Sequence, residues 1–274
     1  MPRMHLFEWE DQQWFPKLFR NFITDHLAHM VSRLFIPAVP KLVEVMQRTG
    51  HTSFVDLCSG GGGPLLALVP LCSKALGKPV TATLTDLYPN LKTLSKTKSL
   101  SDGAINYRTE STNAMDCPES LKGIRTLFTA LHHFRPEDAK KMLADAANKS
   151  VPIAAFESQE RSMGKVIAVP IVLFLSTFLL TPFVGRMTVG RFLFTYLIPL
   201  APLFFAWDGA VSCLRTYSQR ELRQLTENLT QNGYQWEVGQ IPAIGAVGEY
   251  SITYLVGYPS RAEPNSGLHL HPLT

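Results

Sequence analysis

The stretch Asp56-Leu57-Cys58-Ser59-Gly60-Gly61-Gly62-Gly63 decides the fold of this 274-residue chain. It continues a short β-rich run that begins at Ser53, and Pro64 then opens an apolar helix. Glycines at the end of a strand let the backbone adopt positive φ and approach a ligand closely, while the following helix presents free amide hydrogens. The pattern therefore predicts a strand, a glycine turn and a helix that bind a nucleotide-like ligand.

This turn does not complete the fingerprint of dinucleotide-binding proteins. The GxGxxG motif, counted from Gly60, requires glycine at position 65, where the chain has Leu65. A nicotinamide or flavin site is therefore disfavoured, and a nicotinamide oxidoreductase remains only as a rival hypothesis.

Strands and helices alternate along the rest of the chain. Apolar, β-rich runs predict seven strands, at residues 53–58, 80–84, 105–108, 125–128, 151–156, 234–238 and 251–258. Helical patterns occupy residues 17–35, 64–71, 136–148 and 218–228, and the last begins with Ser218 and Glu221 in the spacing of a capping box. The predicted fold class is α/β, a doubly wound, seven-stranded, mostly parallel sheet that follows an N-terminal helical cap.

Composition narrows the function classes. The chain is 46% hydrophobic and 18% charged, which excludes a disordered protein. Its net charge of +4 is small, and no basic stripe alternates with aromatics, so we expect no nucleic-acid partner. The four cysteines form no CxxC pair, so no metal site is expected. Acidic residues and tryptophans stand where a signal peptide would need a basic and then an apolar segment, which favours a cytoplasmic protein.

The glycine turn resembles the first motif of the class I S-adenosylmethionine-dependent methyltransferases, which have a Rossmann-like fold. In that family the motif runs acid-x-Gly-x-Gly-x-Gly. Asp56, Gly60 and Gly62 match it, whereas Cys58 stands where the first glycine is usual. The resemblance covers residues 53–157 well and residues 218–258 by order of elements, and it implies S-adenosylmethionine as cofactor, held partly by Asp56, Cys58, Gly60, Gly61 and Gly62.

Two further loops fit the resemblance in sequence order. Asp86 follows the second predicted strand, where the family uses a carboxylate to accept both ribose hydroxyls. Asn113, Ala114 and Asp116 follow the third strand, where the family lines the adenine, and Asp116 is the candidate for the exocyclic amine. Turn formation by these polar residues is the alternative interpretation.

The loop after the fourth strand, Thr129-Ala130-Leu131-His132-His133-Phe134, resembles the Leu-His-His-Phe loop of many small-molecule methyltransferases. Ligands of a doubly wound sheet lie beyond the carboxyl ends of the strands, so this loop should face the transferring methyl group. Thr129 is assigned to the cofactor. His132 or His133 is the candidate general base, since an imidazole titrates near neutral pH, and a structural role is the alternative.

A long apolar insertion separates the fifth strand from the helix at Ser218. Residues 166–184 carry no charge, and neither do residues 192–207. Because the sheet continues on both sides, the insertion must cross a membrane twice or not at all. Pro170, Pro182, Pro199 and Pro202 favour short angled helices. The insertion either rests on a membrane, with Arg161, Lys165, Arg186 and Arg191 near anionic headgroups, or forms a lid or a homodimer contact in a soluble enzyme.

Polar and aromatic residues flank the insertion and the first strand. Asp208, Arg215 and Tyr217 could orient a substrate, and a structural ion pair with a hydrogen bond is the alternative. Trp9, Trp14 and Phe15 could cover the cofactor, or belong to the core. The predicted domains are a helical cap (1–50), a methyltransferase domain (51–158 and 208–259), an apolar insertion (159–207) and a flexible tail (260–274).

These patterns predict transfer of a methyl group from S-adenosylmethionine to a small or apolar acceptor, by thiol S-methylation or O-methylation. Two alternatives remain: a membrane-associated lipid or quinone methyltransferase, and a non-catalytic membrane protein that binds S-adenosylmethionine. The expected partner is a small-molecule or lipid-like acceptor.

Overall fold

A seven-stranded sheet forms the centre of the molecule, which a computed structural model describes for residues 1–230, 233–245 and 248–260. The strands are β1 (Ser53–Asp56), β2 (Thr81–Leu84), β3 (Ile105–Tyr107), β4 (Ile124–Phe128), β5 (Ile153–Glu157), β6 (Tyr234–Gly245) and β7 (Gly248–Pro259). Their order is β3-β2-β1-β4-β5-β7-β6. Strands β1 to β5 pair in parallel, and β7 runs antiparallel to β5 and β6. The predicted doubly wound, mostly parallel sheet is confirmed.

Helices cover both faces of this sheet and build the cap and the insertion. They are α1 (Lys17–Val31), α2 (Val39–Thr49), α3 (Gly63–Leu76), α4 (Leu91–Ser99), α5 (Pro136–Asn148), α6 (Met163–Leu180), α7 (Val189–Phe192), α8 (Leu200–Arg215) and α9 (Gln219–Thr226). The expected capping box of α9 is confirmed, since the Ser218 hydroxyl accepts from the Glu221 amide and the Glu221 carboxylate accepts from the Ser218 amide.

Successive residues of β1 pack into different cores. Phe54 joins a cluster with residues of α2, α3 and α4, whereas Val55 joins a cluster with residues of α5 and α9. Side chains alternate across a strand, so a strand covered by helices on both faces must be apolar at consecutive positions. This explains why the central strands read as continuous apolar runs.

Several element boundaries differ from the sequence-based prediction. Helix α1 ends at Val31 rather than at residue 35, and α3, which contains Pro70, continues past the predicted end at residue 71 to Leu76. Strands β6 and β7 are each 12 residues long, since they pair with each other along their whole length. Of the tail predicted for residues 260–274, all but Ser260 lies outside the described residues.

The insertion folds as a helical hairpin that packs on the N-terminal cap. Helices α6 and α8 lie against each other, and Ala201 and Phe205 of α8 form a core with Phe22 and Ile23 of α1. The expectation that Pro170 favours short angled helices is wrong, because α6 is continuous through it. One proline removes one hydrogen bond, and the remaining turns of the 18-residue helix persist. A 71° bend does precede α8, at the break that contains Pro199.

The parallel strands align so that the loops after β1, β2 and β4 leave one edge of the sheet. Asp56 at the end of β1 is in register with Leu84 of β2 and with Thr126 of β4. The residues that follow these strands are therefore the ones that the fold brings together.

Candidate active site

Asp56 lies behind the glycine turn rather than on its surface. Its buried carboxylate accepts a hydrogen bond from the Thr126 hydroxyl at 2.7 Å, and its backbone oxygen accepts from the Thr85 amide at 2.8 Å. Burial raises the pKa of Asp56 to about 7, and the hydrogen bond from Thr126 opposes that rise. Asp56 thus joins β1 to both neighbouring strands and positions the turn.

The glycine turn contains three residues in the left-handed region. These are Cys58 (φ 55°), Gly60 (φ 52°) and Gly62 (φ 66°). Cys58, which stands where the family motif has glycine, thus adopts a conformation that favours glycine. A Cβ atom on Gly62 would lie 2.5 Å from Leu84 Cδ1. The turn therefore requires glycine at position 62 for its backbone angles and for its packing.

The N-terminal cap closes over this turn. A Cβ atom on Gly63 would lie 2.5 Å from the backbone oxygen of Ala28 in α1, so the two backbones meet without intervening side chains. On the other side, the Thr97 hydroxyl of α4 donates to the Gly61 oxygen at 2.7 Å. The shape of the turn is consequently fixed from two directions.

Asp86 joins the loop after β2 to the glycine turn. Its Oδ2 accepts from the Gly60 amide at 2.9 Å, and its Oδ1 accepts from the Tyr88 amide at 2.9 Å. The side chain is half-buried, so both oxygens keep lone pairs at the molecular surface. The structure thus brings two of the residues predicted from sequence into direct contact.

The residues predicted to line the adenine occupy a short helical turn after β3. The Asn113 side chain accepts from the Met115 amide at 3.0 Å and caps this turn, and Ala114 is buried. The Asp116 side chain is 82% exposed and contacts Lys149 at 3.0 Å. Asn113 and Asp116 thus have the structural roles of a cap and a surface ion pair, and their assignment to the adenine stays a prediction.

Thr129, directly after β4, has an unusual conformation. Its φ is +54°, which is rare for a β-branched residue. Its buried hydroxyl oxygen has no hydrogen-bond partner among the residues that the structure describes. Strained backbone and unpaired polar atoms concentrate at functional sites, so this position marks the edge of the sheet where a ligand would bind.

His132 is completely buried and is held by Glu157 at the end of β5. The two oxygens of this carboxylate contact His132 Nδ1 at 2.7 Å and its backbone amide at 3.2 Å. Nε2 is buried and unpaired within the described part of the chain. Glu157 therefore fixes the imidazole orientation and leaves Nε2 free to take a proton or to bind a ligand.

His133 lies beside two carboxylates from the N-terminal segment, defined here as residues 3–15. Its Nδ1 is 3.1 Å from Glu8 Oε2 and 3.0 Å from Asp11 Oδ1. Burial would lower the pKa of His133, but these two carboxylates raise it to about 9. Without a further ligand, His133 is protonated at neutral pH and is a poor general base.

The three residues predicted to orient a substrate all contact the N-terminal segment. Asp208 accepts from the Trp9 amide at 2.7 Å, and Arg215 Nη1 contacts Asp11 Oδ2 at 2.6 Å. The Tyr217 hydroxyl donates to the Phe134 oxygen at 2.7 Å, and the Arg3 guanidinium lies 4.0 Å from the centre of the Tyr217 ring. The ion pair and the hydrogen bonds of the alternative interpretation are present, and a role toward substrate stays a prediction.

The aromatic residues of the N-terminal segment divide into two groups. Phe15 is buried in the core between α1 and α8, and Trp9 packs against it at a centroid distance of 5.7 Å. Trp14 is 69% exposed. These positions agree with the core interpretation for Trp9 and Phe15.

Sequence reasoning missed Glu8, Asp11 and Glu157. The first two lie in Phe7-Glu8-Trp9-Glu10-Asp11, where three acids stand beside two aromatic residues. Acidic residues next to aromatic residues that become buried are a sequence sign of a polar network. Only the fold shows that Glu8 and Asp11 contact His133.

No protein-family model and no curated protein sequence matches this chain. Solved structures do match it. PigF with S-adenosylhomocysteine aligns at 16% identity and a TM-score of 0.50, over 90% of this chain and 62% of its own length. A candidate O-methyltransferase of Nostoc punctiforme aligns at 12% identity and a TM-score of 0.50, over 86% and 59%. An O-methyltransferase family protein of Burkholderia thailandensis aligns at 17% identity and a TM-score of 0.46, over 89% and 63%.

Three observations point to the same fold: the strand order with its antiparallel β7, the glycine turn after β1, and the first two alignments. The chain has the class I S-adenosylmethionine-dependent methyltransferase fold. It spans about three fifths of the length of the three structures. Within the methyltransferase fold, the glycine turn, Asp86, Thr129 and His132 all follow strands of the parallel sheet, at the edge where such sheets bind ligands.

Proposed function

We propose that this protein is an S-adenosylmethionine-dependent methyltransferase that acts on a small or apolar acceptor. One observation carries the proposal: the Gly60 amide and the Asp86 carboxylate meet at 2.9 Å, at the ends of adjacent strands of a methyltransferase fold. The turn offers backbone amides to a ligand, and the neighbouring Asp86 carboxylate can accept hydrogen bonds from two hydroxyl groups. Together they suit a ligand in which a ribose carries an amino acid.

The residues at this edge fit S-adenosylmethionine. A Cβ atom built on Gly60 meets no atom within 4 Å among the described residues, so space is open beside the turn. The unpaired Thr129 hydroxyl offers a polar contact at the end of β4. The turn would hold the amino-acid end of the cofactor, and Asp86 would accept hydrogen bonds from the ribose hydroxyls.

The cofactor supplies an electrophilic methyl group on a sulfonium sulfur. The chain's own contribution is to align the acceptor and to exclude water, which favours a transfer that disperses charge. Glu157 orients His132, whose Nε2 is buried near the end of β4. The proton of a hydroxyl acceptor would leave in this region, whereas a thiol is partly ionised at neutral pH and needs less assistance.

Calorimetry with purified protein tests cofactor binding. We expect heat on titration with S-adenosylmethionine and S-adenosylhomocysteine, and none with NADH. Binding of NADH alone would instead support the oxidoreductase hypothesis.

An acceptor screen tests catalysis. Small thiols, phenols and lipid extracts are incubated with isotopically labelled methyl donor, and the labelled class identifies the acceptor atom. Cofactor binding without S-adenosylhomocysteine formation on any acceptor would support the non-catalytic alternative.

A membrane-associated form of this activity, on a lipid-like acceptor, is favoured by the outer face of α6. Among the described residues, this helix is long and apolar enough to cross a membrane, with a mean hydropathy of 2.2 and only 6% of its residues buried. The segment from α7 to α8 would count as a second such helix only if the two parts on either side of its 71° bend formed one span. The face exposes large apolar side chains: Met163, Ile167, Ile171, Leu175 and Leu179. Monomeric soluble proteins rarely expose a continuous face of this kind.

Insertion of the hairpin into one leaflet fits better than two crossings, because two crossings would place the exposed Arg186 at the far face of the membrane, against the positive-inside tendency. Both ends of the insertion join the same sheet, so α6 and α8 must return to the side from which they left. Arg161 and Arg191 are held in ion pairs with Glu221 and Asp25, which leaves Arg186 as the exposed arginine at the tip. The protein would then be peripheral or monotopic on the cytoplasmic face, and a homodimer contact over α6 is the alternative occupant.

Liposome flotation tests this form of the proposal. Replacing Ile167, Ile171 and Leu175 by Gln should abolish co-flotation with vesicles that contain anionic lipid. The matched control replaces Leu91 and Leu100 by Gln, since these are exposed leucines outside the insertion. Equal flotation of both variants would exclude binding through α6, and a change in sedimentation without vesicles would indicate the homodimer.

A further inference from the structure

Three metal-ligating side chains lie together between the N-terminal segment and the loop after β4. One carboxylate oxygen of Glu8 and one ring nitrogen of each of His132 and His133 lie within 4.8 Å of one another. Glu8 and His132 are buried, and His133 is half-buried. Two histidines and one carboxylate form the ligand set of catalytic zinc sites and of mononuclear iron sites, both of which keep open coordination positions.

The orientation of His132 is what a metal ligand requires. Its Nδ1 is held by Glu157 at 2.7 Å, so Nε2 is the nitrogen left to bind. That atom is buried and lacks a partner in residues 1–230, 233–245 and 248–260. A carboxylate that holds one ring nitrogen while the other faces the metal is the usual outer arrangement around a metal-bound histidine. An unpaired nitrogen in a fully buried ring is otherwise costly.

Glu8 and His133 already have the spacing of neighbouring ligands. Glu8 Oε2 lies 3.1 Å from His133 Nδ1, and adjacent ligand atoms around a tetrahedral zinc ion are about 3.3 Å apart. Asp11 Oδ1 lies 3.0 Å from the same nitrogen and could complete the site at its solvent side. Small side-chain movements would therefore bring the ligands onto one ion.

The charge around the cluster favours a cation. Glu8, Glu10, Asp11 and Asp208 converge here, and Arg215 is the guanidinium that contacts two of them, at 3.2 Å from Glu8 and 2.6 Å from Asp11. Four carboxyl groups thus lie around the cluster, against the guanidinium groups of Arg215 and of Arg3, which donates to the His132 backbone oxygen at 3.0 Å.

We propose that Glu8, His132 and His133 bind one divalent transition-metal ion, of the zinc or iron(II) class, at the acceptor side of the site. Its open positions would hold the oxygen or sulfur atom of the methyl acceptor, and this role rests on the proposed function. Coordination lowers the pKa of a bound hydroxyl or thiol, so the acceptor would lose its proton to solvent while His132 serves as a ligand.

Titration of the tag-free full-length protein with Co²⁺ tests the site, after removal of metal with a chelator. We expect one equivalent to bind with the visible absorption of a low-symmetry cobalt site, and Zn²⁺ to displace it. His132→Ala and Glu8→Gln should each weaken binding at least 100-fold. Glu157→Gln should weaken it about 10- to 100-fold, because it removes only the outer contact.

His26→Gln is the matched control, since His26 is also buried but contacts the Phe22 oxygen and the Thr181 hydroxyl. Every variant keeps His269 and His271, so weak binding by that segment is common to all. Unchanged cobalt affinity in His132→Ala and Glu8→Gln, or no stoichiometric binding by the native chain, would overturn the proposal. Calorimetry with S-adenosylhomocysteine on the same samples reports folding and cofactor binding separately, so a metal site without cofactor binding would refute only the proposed methyl transfer.

Discussion

The two halves of the candidate site are assembled from different kinds of sequence relationship. The cofactor half comprises the glycine turn, Asp86 and the turn after β3, and its central contact joins Gly60 to a residue 26 positions away. The acceptor half comprises the loop after β4, Glu157, the end of α8 and the N-terminal segment. Its contacts with the N-terminal segment join residues 122 positions apart, as for Asp11 and His133, or 199 apart, as for Trp9 and Asp208. The contact between His132 and Glu157 spans only 25 positions, because β4 and β5 are neighbouring strands.

This difference separates the residues that the sheet itself brings together from those that need additional elements to meet. The cofactor half follows from the strand order, because its residues lie in the loops that follow the neighbouring strands β1, β2 and β3. The acceptor half depends on a cap and an insertion that the sheet does not need. We therefore expect changes in the cofactor half to alter S-adenosylhomocysteine affinity, and changes in the acceptor half to leave it nearly unchanged.

The largest expected effect is that of Asp86→Ala on cofactor affinity. If Asp86 accepts both ribose hydroxyls as proposed, the two charge-assisted hydrogen bonds contribute about 3 kcal/mol or more together, so affinity for S-adenosylhomocysteine should fall about 100-fold or more. Isothermal titration calorimetry measures it. Asp116→Ala should cost at most about 10-fold, because this side chain is exposed and paired with Lys149. The control is Asp138→Ala, which removes a half-buried aspartate on α5 that pairs with Lys141. An Asp86 variant with native affinity would contradict the assignment of Asp86 to the ribose.

The fold could be read from sequence because its signals are local. The Gly60–Gly63 turn, the alternation of apolar strands with helices and the capping box at Ser218 each lie within a few residues. The position of Asp86 followed from counting strands. Helix limits were predicted less accurately, since α1 ends at Val31 rather than at residue 35 and α3 ends at Leu76 rather than at residue 71.

The acceptor half could be read only in part. His132 and His133 lay in a motif, but Glu157, Glu8 and Asp11 carry no local pattern that assigns them to these imidazoles. Their contacts arise because β5 lies beside β4 and because the N-terminal segment crosses the end of the sheet. Long-range packing of this kind is not encoded in the spacing of residues.

The second prediction tests whether the glycine turn is fixed by packing as well as by backbone angle. Gly62→Ala should destabilise the protein by about 3 kcal/mol, because the new Cβ would overlap Leu84 in addition to adopting positive φ. Gly77→Ala is the matched control. Gly77 also has a positive φ, +67°, but a Cβ atom at this position would have no described atom within 4 Å. It should cost about 1 kcal/mol. Chemical denaturation compares the two, and equal losses would show that the overlap relaxes at no cost.

The third prediction concerns pH and Asp56. Its pKa is about 7 in the native protein and near 4 in the unfolded chain, so the native state binds this proton more tightly. The contribution of Asp56 to stability therefore falls as pH rises from about 4 to about 7. Asp56→Asn keeps an acceptor for Thr126 and should flatten this dependence by roughly 2–3 kcal/mol. Denaturation midpoints at pH 5 and pH 8 measure it, with exposed Glu119→Gln as control; parallel curves for Asp56→Asn and the native protein would contradict the assignment.

The smallest effect, and the sharpest separation of the two halves, should come from Asp208→Ala. Asp208 accepts from the backbone amides of Trp9 and Glu10, so its removal leaves these donors without the carboxylate that ties them to α8. The cost should be about 1–2 kcal/mol and confined to the N-terminal segment, because the glycine turn contacts α1 rather than α8. Hydrogen exchange should accelerate at residues 9–15, while S-adenosylhomocysteine affinity changes less than about threefold. Loss of cofactor affinity together with faster exchange would mean that the N-terminal segment also encloses the cofactor, and the division into two independent halves would fail.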